Sequence, residues 1–375
     1  MRTGIATVPL DYGRCPYWLF ERMKRLSRAI VLAIAEEFGA EEILRRLSDP
    51  IWFQSLGCVI GFDWNSSGLT TTTLGALKEG LRGLENELGI FVCGGKGKTS
   101  RKTPEQIQNW GEFLGWPMEK IDKLVYASKI SAKVDSSCVQ DFQNPFQIYH
   151  HNLIFTKDGQ WTVIQQAMSV QIQKARRYHW LSSRIRDFVE EPHSGVIADA
   201  RIKPLNLTAK ESRGNKEIST EIVKEEPKKF LKDLNLIQTK KTKNLTLIEL
   251  YDKEFYWHPV VEEKFDLKRL EKTILFAHEA SPRNFETLLS LKGIGPKTIR
   301  ALSLVSELIY GAEPSYEDPA RYSFAHGGKD GTPFKCSKTL LDTTVEVMEK
   351  GIKKAKILNR EKSEAQRRLS SFIKR

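Results

Sequence analysis

Long apolar runs are missing from this 375-residue sequence. No stretch approaches the roughly 18 residues that cross a bilayer, and the start, Met1-Arg-Thr-Gly-Ile-Ala-Thr7, has no apolar core of a secretory signal. Cysteine is scarce: there are 5, at positions 15, 58, 93, 138 and 336, an odd number with no Cys-x-x-Cys pair. That argues against a disulfide framework and a zinc ribbon and suits a reducing compartment. The expectation is a soluble, cytoplasmic protein with no metal or other cofactor. Acidic charge is in deficit too, with 47 Asp and Glu against 59 Lys and Arg, a net charge of +12 and a pI near 9.3. An excess of this sign fits a nucleic-acid partner, because neutralising phosphates supplies most non-specific affinity. Residues 331–375 hold 12 Lys and Arg and 5 Asp and Glu, so they carry +7 of the +12.

What is present reads as α+β: a mixed α/β N-terminal domain, an all-α helix-hairpin-helix domain and a basic C-terminal helix. In residues 1–204, Tyr17 to Phe38 has helical spacing, Trp52 to Phe62 reads as a strand, and Gly68 to Glu87 as a helix entered through threonines. Gly89 to Cys93 reads as a short strand, and Thr103-Pro-Glu-Gln106 has the form of a capping box. Gln147–Thr156 and Gln160–Ser169 form two strands around Lys157-Asp158-Gly159, a strong hairpin signal. Residues 205–245, dense in Lys, Glu, Asn and Thr, read as a charged and mostly exposed connector. Residues 246–345 carry the helical domain, and 346–375 a basic helical tail.

The string Leu291-Lys-Gly-Ile-Gly-Pro-Lys-Thr-Ile-Arg-Ala-Leu302 concentrates the functional signal. Apolar residues keep a helical period on both sides of it, from Phe285 to Leu291 and from Ile299 to Ile309. Gly293 and Gly295 permit left-handed backbone and close ligand approach; Pro296 suits the first position of a second helix, and Gly311 its stop. Free N–H groups and the helix dipole make that second helix start an anion site sized for one DNA phosphate. Lys292, Lys297 and Arg300 add charge, and Thr298 lies in the same first turn. The plainer reading is a helical hairpin with a tight glycine turn.

Other polar groups invite weaker readings. Gly61-Phe-Asp-Trp-Asn-Ser-Ser-Gly-Leu-Thr-Thr-Thr-Thr73 leads from Asp63 into a helix, as a phosphate loop or as a capping cluster. Gly94-Gly-Lys-Gly-Lys-Thr-Ser100 is not a P-loop, since position 92 is Val92; it reads as a basic loop touching nucleic acid or as an exposed turn. Asp135, Asp141, Tyr149, His150, His151, Gln165, Gln166 and His179 gather on or near the strand hairpin. Adjacent histidines on a strand face opposite ways, and Gln165-Gln166 stands where a metal nuclease would want Glu-x-Lys. Arg176, Arg177, Tyr178, His179, Trp180 and Arg184 could line a channel for stacked bases or form an ordinary amphipathic helix end.

The Gly-Ile-Gly-Pro-Lys string resembles the helix-hairpin-helix base-excision glycosylases, such as endonuclease III and the 8-oxoguanine glycosylases, without the four-cysteine iron–sulfur loop of the former. Bifunctional members carry Gly-Val-Gly-x-Lys, whose lysine attacks the sugar C1′, and an Asp about twenty residues later that stabilises the oxocarbenium charge. The resemblance assigns these catalytic roles to Lys297 and to Asp318, 21 residues on. A neutral lysine at a positive helix end and a carboxylate facing a forming cation suit the chemistry. Over the whole chain, Arg2-Thr-Gly-Ile-Ala6, Gly61-Phe-Asp-Trp64, Tyr149-His-His-Asn152 and Arg321-Tyr-Ser-Phe-Ala-His-Gly-Gly-Lys-Asp-Gly331 look like the domain of unknown function 763 family, common in archaea. The expectation is a DNA repair enzyme, a base-excision glycosylase with AP lyase acting on damaged double-stranded DNA. A structure-specific nuclease and a non-catalytic DNA-binding factor are the alternatives. Lys292, Gly293, Gly295, Thr298, Arg300, Arg321 and Lys329 would contact DNA, and Asp63, His150 and His326 would line a pocket.

Overall fold

The computed structural model describes residues 15–62, 68–141, 145–198, 203–241, 264–320 and 350. Helices α1 (Tyr17–Phe38), α2 (Ala40–Leu47), α3 (Pro50–Val59), α4 (Gly68–Leu81) and α5 (Glu85–Leu88) precede the first strand, β1 (Ile90–Lys96). Helices α6 (Thr103–Phe113) and α7 (Met118–Ser137) lead to strands β2 (Val139–Gln140), β3 (Gln147–Thr156), β4 (Trp161–Ser169), β5 (Lys174–Leu181), β6 (His193–Ala198) and β7 (Leu205–Asn206). Helices α8 (Arg213–Lys224), α9 (Pro227–Lys241), α10 (Leu267–Ala280), α11 (Phe285–Ser290) and α12 (Pro296–Leu308) follow. The architecture is α+β.

A five-stranded antiparallel sheet, ordered β1-β3-β4-β5-β6, divides two cores. Alternation along each strand sorts the side chains. Ile90, Val92, Ile154, Ile164 and Leu181 join Met23, Ile30, Phe53, Leu74 and Leu77 of α1, α3 and α4 on one face. Phe91, Cys93, Leu153, Phe155, Val163 and Trp180 join Ile107, Leu124, Ile130 and Val134 of α6 and α7 on the other. The second core continues without a break into Ile222, Phe230, Ile274, Leu288, Ile299 and Leu302 of α8 to α12.

Four local expectations need correction. Residues 50–59 form helix α3, not a strand: Asp49 Oδ1 accepts the N–H groups of Ile51 and Trp52 at 2.8 and 3.2 Å, and Pro50 stands at the first position. The segment is buried on nearly every side, which erased the helical period. Thr103 does not cap α6; its hydroxyl donates to Ser100 O at 2.7 Å, from inside the first turn. Arg176 to Trp180 is strand, not helix, and buried throughout. The expected exposed connector instead carries α8 and α9, which bury Ile222, Val223, Phe230, Leu234 and Ile237 and keep their lysines mostly outside. The strand hairpin forms as expected, with Gly159 at φ 91° in its turn. The basic tail lies outside the described residues apart from Lys350, which is helical.

Three histidines in the sheet are fully enclosed. Burial pushes His150 down to about 3, and pushes His151 and His179 down as well. Below the ordinary value of 6.5 the unfolded chain therefore binds more protons than the folded one. Stability is complete above that pH and falls as pH drops toward the depressed folded values, by up to about 1.4 kcal/mol per pH unit for each histidine. Thermal melts should show Tm falling between about pH 7 and pH 5, with a flatter dependence in His179→Gln. A pH-independent Tm in the parent over that range would refute the assignment.

Candidate nucleic-acid interface

Helices α11 and α12 are joined by a short turn whose two glycines do different work. Gly293 sits at φ 90°, a left-handed conformation that side chains resist. Ile294, 2 % exposed, plugs the turn into the core between them. Gly295 is extended, at φ −146°, and a Cβ there would meet nothing within 4 Å. Space does not require glycine at position 295, although glycine is a favoured residue at a helix N-cap. Pro296 begins α12, whose first internal bond is Ile299 N–H to Gly295 O at 3.0 Å, and no side chain caps the start. The amides of Lys297 and Thr298 thus fall in the turn that has no helical acceptor. Lys292, Gly293, Pro296 and Lys297 are exposed around it.

Packing fixes this turn rigidly. Lys133 of α7 donates to the carbonyls of Leu289 and Leu291, at 2.6 and 2.5 Å, closing the end of α11; burial lowers its pKa. Asn215 of α8 donates to Ser303 O and Ala312 O at 3.1 and 2.7 Å, and the Ser219 and Ser306 hydroxyls meet at 2.9 Å. Gln140 of β2 reaches Pro296 O at 3.5 Å. The helix ends at Leu308, and Gly311, expected to stop it, lies three residues on at φ 70° with its N–H donating to Glu307 O at 3.0 Å.

Not every expected contact residue faces outward. Arg300 is buried and donates to Gln140 Oε1, so it supports the turn from beneath; Thr298 is buried too. Lys292 and Lys297 are exposed, and no hydrogen bond or ion pair engages either among the described residues. Asp318 takes an unforeseen partner. Its carboxylate pairs with Arg176 of β5, both side chains being buried, and Oδ1 also accepts Ala320 N–H at 2.8 Å in an Asx-turn. No hydrogen bond or ion pair joins it to Lys297. The small ribbon of β2 and β7 nevertheless gathers both segments. Gln140 touches the start of α12, while Asn206 pairs with Ser315 and donates to Glu317 O at 3.0 Å. Asp63, Arg321, His326 and Lys329 lie outside the described residues.

The remaining polar candidates divide between the two faces of the sheet. On the α7 face, Asp135 accepts from Trp180 Nε1 at 3.0 Å, from Gln165 Nε2, and contacts His193 Nε2 at 2.5 Å. His151 lies between Ser128 Oγ at 3.1 Å and Gln165 Oε1 at 2.7 Å. His150, Gln166 and His179 face the opposite way, as alternation requires. Among the described residues no three His, Cys, Asp or Glu side chains are grouped so that they could hold a metal ion.

Residues 4–336 match the family described as Protein of unknown function (DUF763), which accounts for most of the chain. The chain belongs to the DUF763 family. No curated protein and no solved structure matches it. In this member of the family, no described helix is long and apolar enough to cross a membrane.

Gly295→Ala should cost no more than about 1 kcal/mol, for a poorer N-cap, whereas Gly293→Ala should cost about 1–2 kcal/mol for forcing a side chain into a left-handed turn. Asp318→Ala should cost about 3–5 kcal/mol, because it leaves the buried Arg176 guanidinium without its counter-ion. Urea denaturation of the three variants measures all of these. Equal costs for the two glycine variants would overturn the division of labour in the turn.

Proposed function

We propose that this protein binds DNA, with the turn between α11 and α12 gripping a backbone phosphate. The observation that carries the reading is Gly295: extended, uncrowded and half-exposed, it keeps the helix start bare although space does not require it. The absence of a Cβ leaves the helix start open to a group arriving from outside, and the groups there are backbone N–H donors flanked by Lys292 and Lys297. The net charge of +12 supports the same partner. The helix-hairpin-helix unit is the all-α part of this proposal, although its core is continuous with that of the sheet.

Fluorescence anisotropy with labelled duplex tests the grip. Gly295→Val and Lys297→Ala should each weaken binding, and Lys297→Ala and Lys292→Ala should each reduce the salt slope by roughly one. Parent-like affinity in Gly295→Val would remove the turn from DNA binding.

A second reading adds chemistry at Lys297, which is exposed, unpaired among the described residues and second in its helix. As a base-excision glycosylase with AP lyase, the protein would use this amine to attack C1′ of a damaged nucleotide, breaking the glycosidic bond and releasing the base. Opening of the sugar ring would then give the Schiff base that undergoes β-elimination. Asp318 fits its expected part only if the bond to Arg176 is exchanged for substrate. Borohydride should trap the parent, but not Lys297→Ala, on DNA containing an abasic site. An untrapped parent sinks the lyase reading and leaves the binding reading intact.

A further inference from the structure

A row of polar side chains runs across the sheet on the face covered by α3 and α4. Strand register sets Lys96 beside His150, His150 beside Gln166, and Gln166 beside Arg177. A bulge between Ile148 and His150 adds Tyr149 to the row's open end, where Lys96 lies 6.0 Å from its ring centroid and Gln166 Nε2 donates to its hydroxyl at 2.6 Å. Helix α4 bridges the row. Near its start, Thr70 Oγ1 accepts from Arg177 Nη1 at 3.1 Å, and near its end Lys78 Nζ donates to Gly94 O at 2.7 Å and Gln106 Oε1 at 2.8 Å. Thr73 lies between them along the helix.

Hydrogen bonding is incomplete in the middle of this layer. His150 is 1 % exposed and neither ring nitrogen has a partner in full hydrogen-bond geometry among the described residues, although Asn152 lies near enough to favour its protonated form. Thr73 Oγ1, on a fully buried side chain, and Asn152 Oδ1, two residues along the strand from His150, have none either. Each such atom costs about 1–3 kcal/mol when enclosed without a partner. Of these four, the Thr73 hydroxyl and one His150 N–H are donors that an incoming acceptor can answer, while Asn152 Oδ1 and the other His150 nitrogen accept. The sign of that acceptor follows from the neighbours. Lys78 and Arg177 are buried or half-buried cations, and Lys96 stands at the exposed edge, next to the basic turn Gly97–Lys102. The hydrogen bonds of Lys78 go to a carbonyl and an amide, leaving its charge without a bonded carboxylate.

We propose that the layer between this sheet face and α4 binds a phosphate group. The phosphate enters past Lys96, and the N–H of His150 and the hydroxyl of Thr73 donate to its oxygens. Lys78 and Arg177 supply the field that favours a dianion over water. A free phosphate, a mononucleotide and a nucleic-acid end all present this chemistry.

Isothermal titration with inorganic phosphate, with adenosine monophosphate, and with a single-stranded oligonucleotide carrying either a 5′-phosphate or a 5′-hydroxyl tests the site and separates the sources. At least one phosphate-bearing probe should bind, and Lys96→Ala and His150→Gln should each weaken it by roughly tenfold or more. A preference for the 5′-phosphorylated over the 5′-hydroxyl strand, with no binding of small phosphates, identifies a strand end. Binding of the small probes identifies a free ligand. Lys96 is exposed, so its variant stays decisive if His150→Gln does not fold. The proposal is overturned if no phosphate-bearing probe binds, if both variants bind like the parent, or if the loss appears in Lys297→Ala instead, which would place the phosphate at the α11–α12 turn.

Discussion

Burial of both faces of one antiparallel sheet is the constraint on which the rest of this protein depends. Antiparallel sheets usually leave one face to water. Here α1 to α4 cover one face and α6 and α7 cover the other, so most side chains on β3, β4 and β5 must satisfy themselves inside the protein. The α7 face manages this in part, with bonds around Asp135, His151 and Gln165, while Tyr178 Oη and two nitrogens of Arg176 stay without a partner among the described residues. The α4 face likewise leaves His150, Asn152 and Thr73 with polar atoms unanswered. Buried polar groups without partners are rare enough in native proteins to require a cause.

The sheet, α7 and the β2–β7 ribbon together anchor the C-terminal segment. Arg176 of β5 holds Asp318, Lys133 of α7 closes α11, and Gln140 of β2 supports both Pro296 and Arg300. The α11–α12 turn is therefore presented by a scaffold that includes the sheet, not by an independently folded module. A turn held this firmly loses little entropy when it meets a rigid polyanion. The cost is that Asp318 and Arg300, two polar residues that sequence spacing offers to a ligand, serve the scaffold.

Much of this arrangement was legible in the chain itself. The strand hairpin announced itself through Lys157-Asp158-Gly159, because a tight turn needs glycine at a left-handed position, and Gly159 stands at φ 91°. The α11–α12 turn was equally legible, from two glycines, a helix-starting proline and apolar residues in register on either side. Helix α3 was misread because it is apolar almost all round and has no period, although its Asp49-Pro50 start was a usable cap signal. The connector was misread because lysine density on the outer faces of α8 and α9 masked the spacing of Ile222, Phe230, Leu234 and Ile237 within.

What the sequence determined by itself is local: turns that only glycine or proline permits, helix starts, hairpin register and the overall positive charge. These follow from interactions among neighbours in the chain, which spacing records directly. What only the tertiary structure decided is which polar side chains are spent on the scaffold. Asp318 meets Arg176 across 142 residues, and Arg300 meets Gln140 across 160. His150 is left without a full hydrogen bond among the described residues although it stands in a row with Lys96, Gln166 and Arg177. Such pairings depend on long-range strand register and on which helix covers which face, and no spacing within a single segment records either.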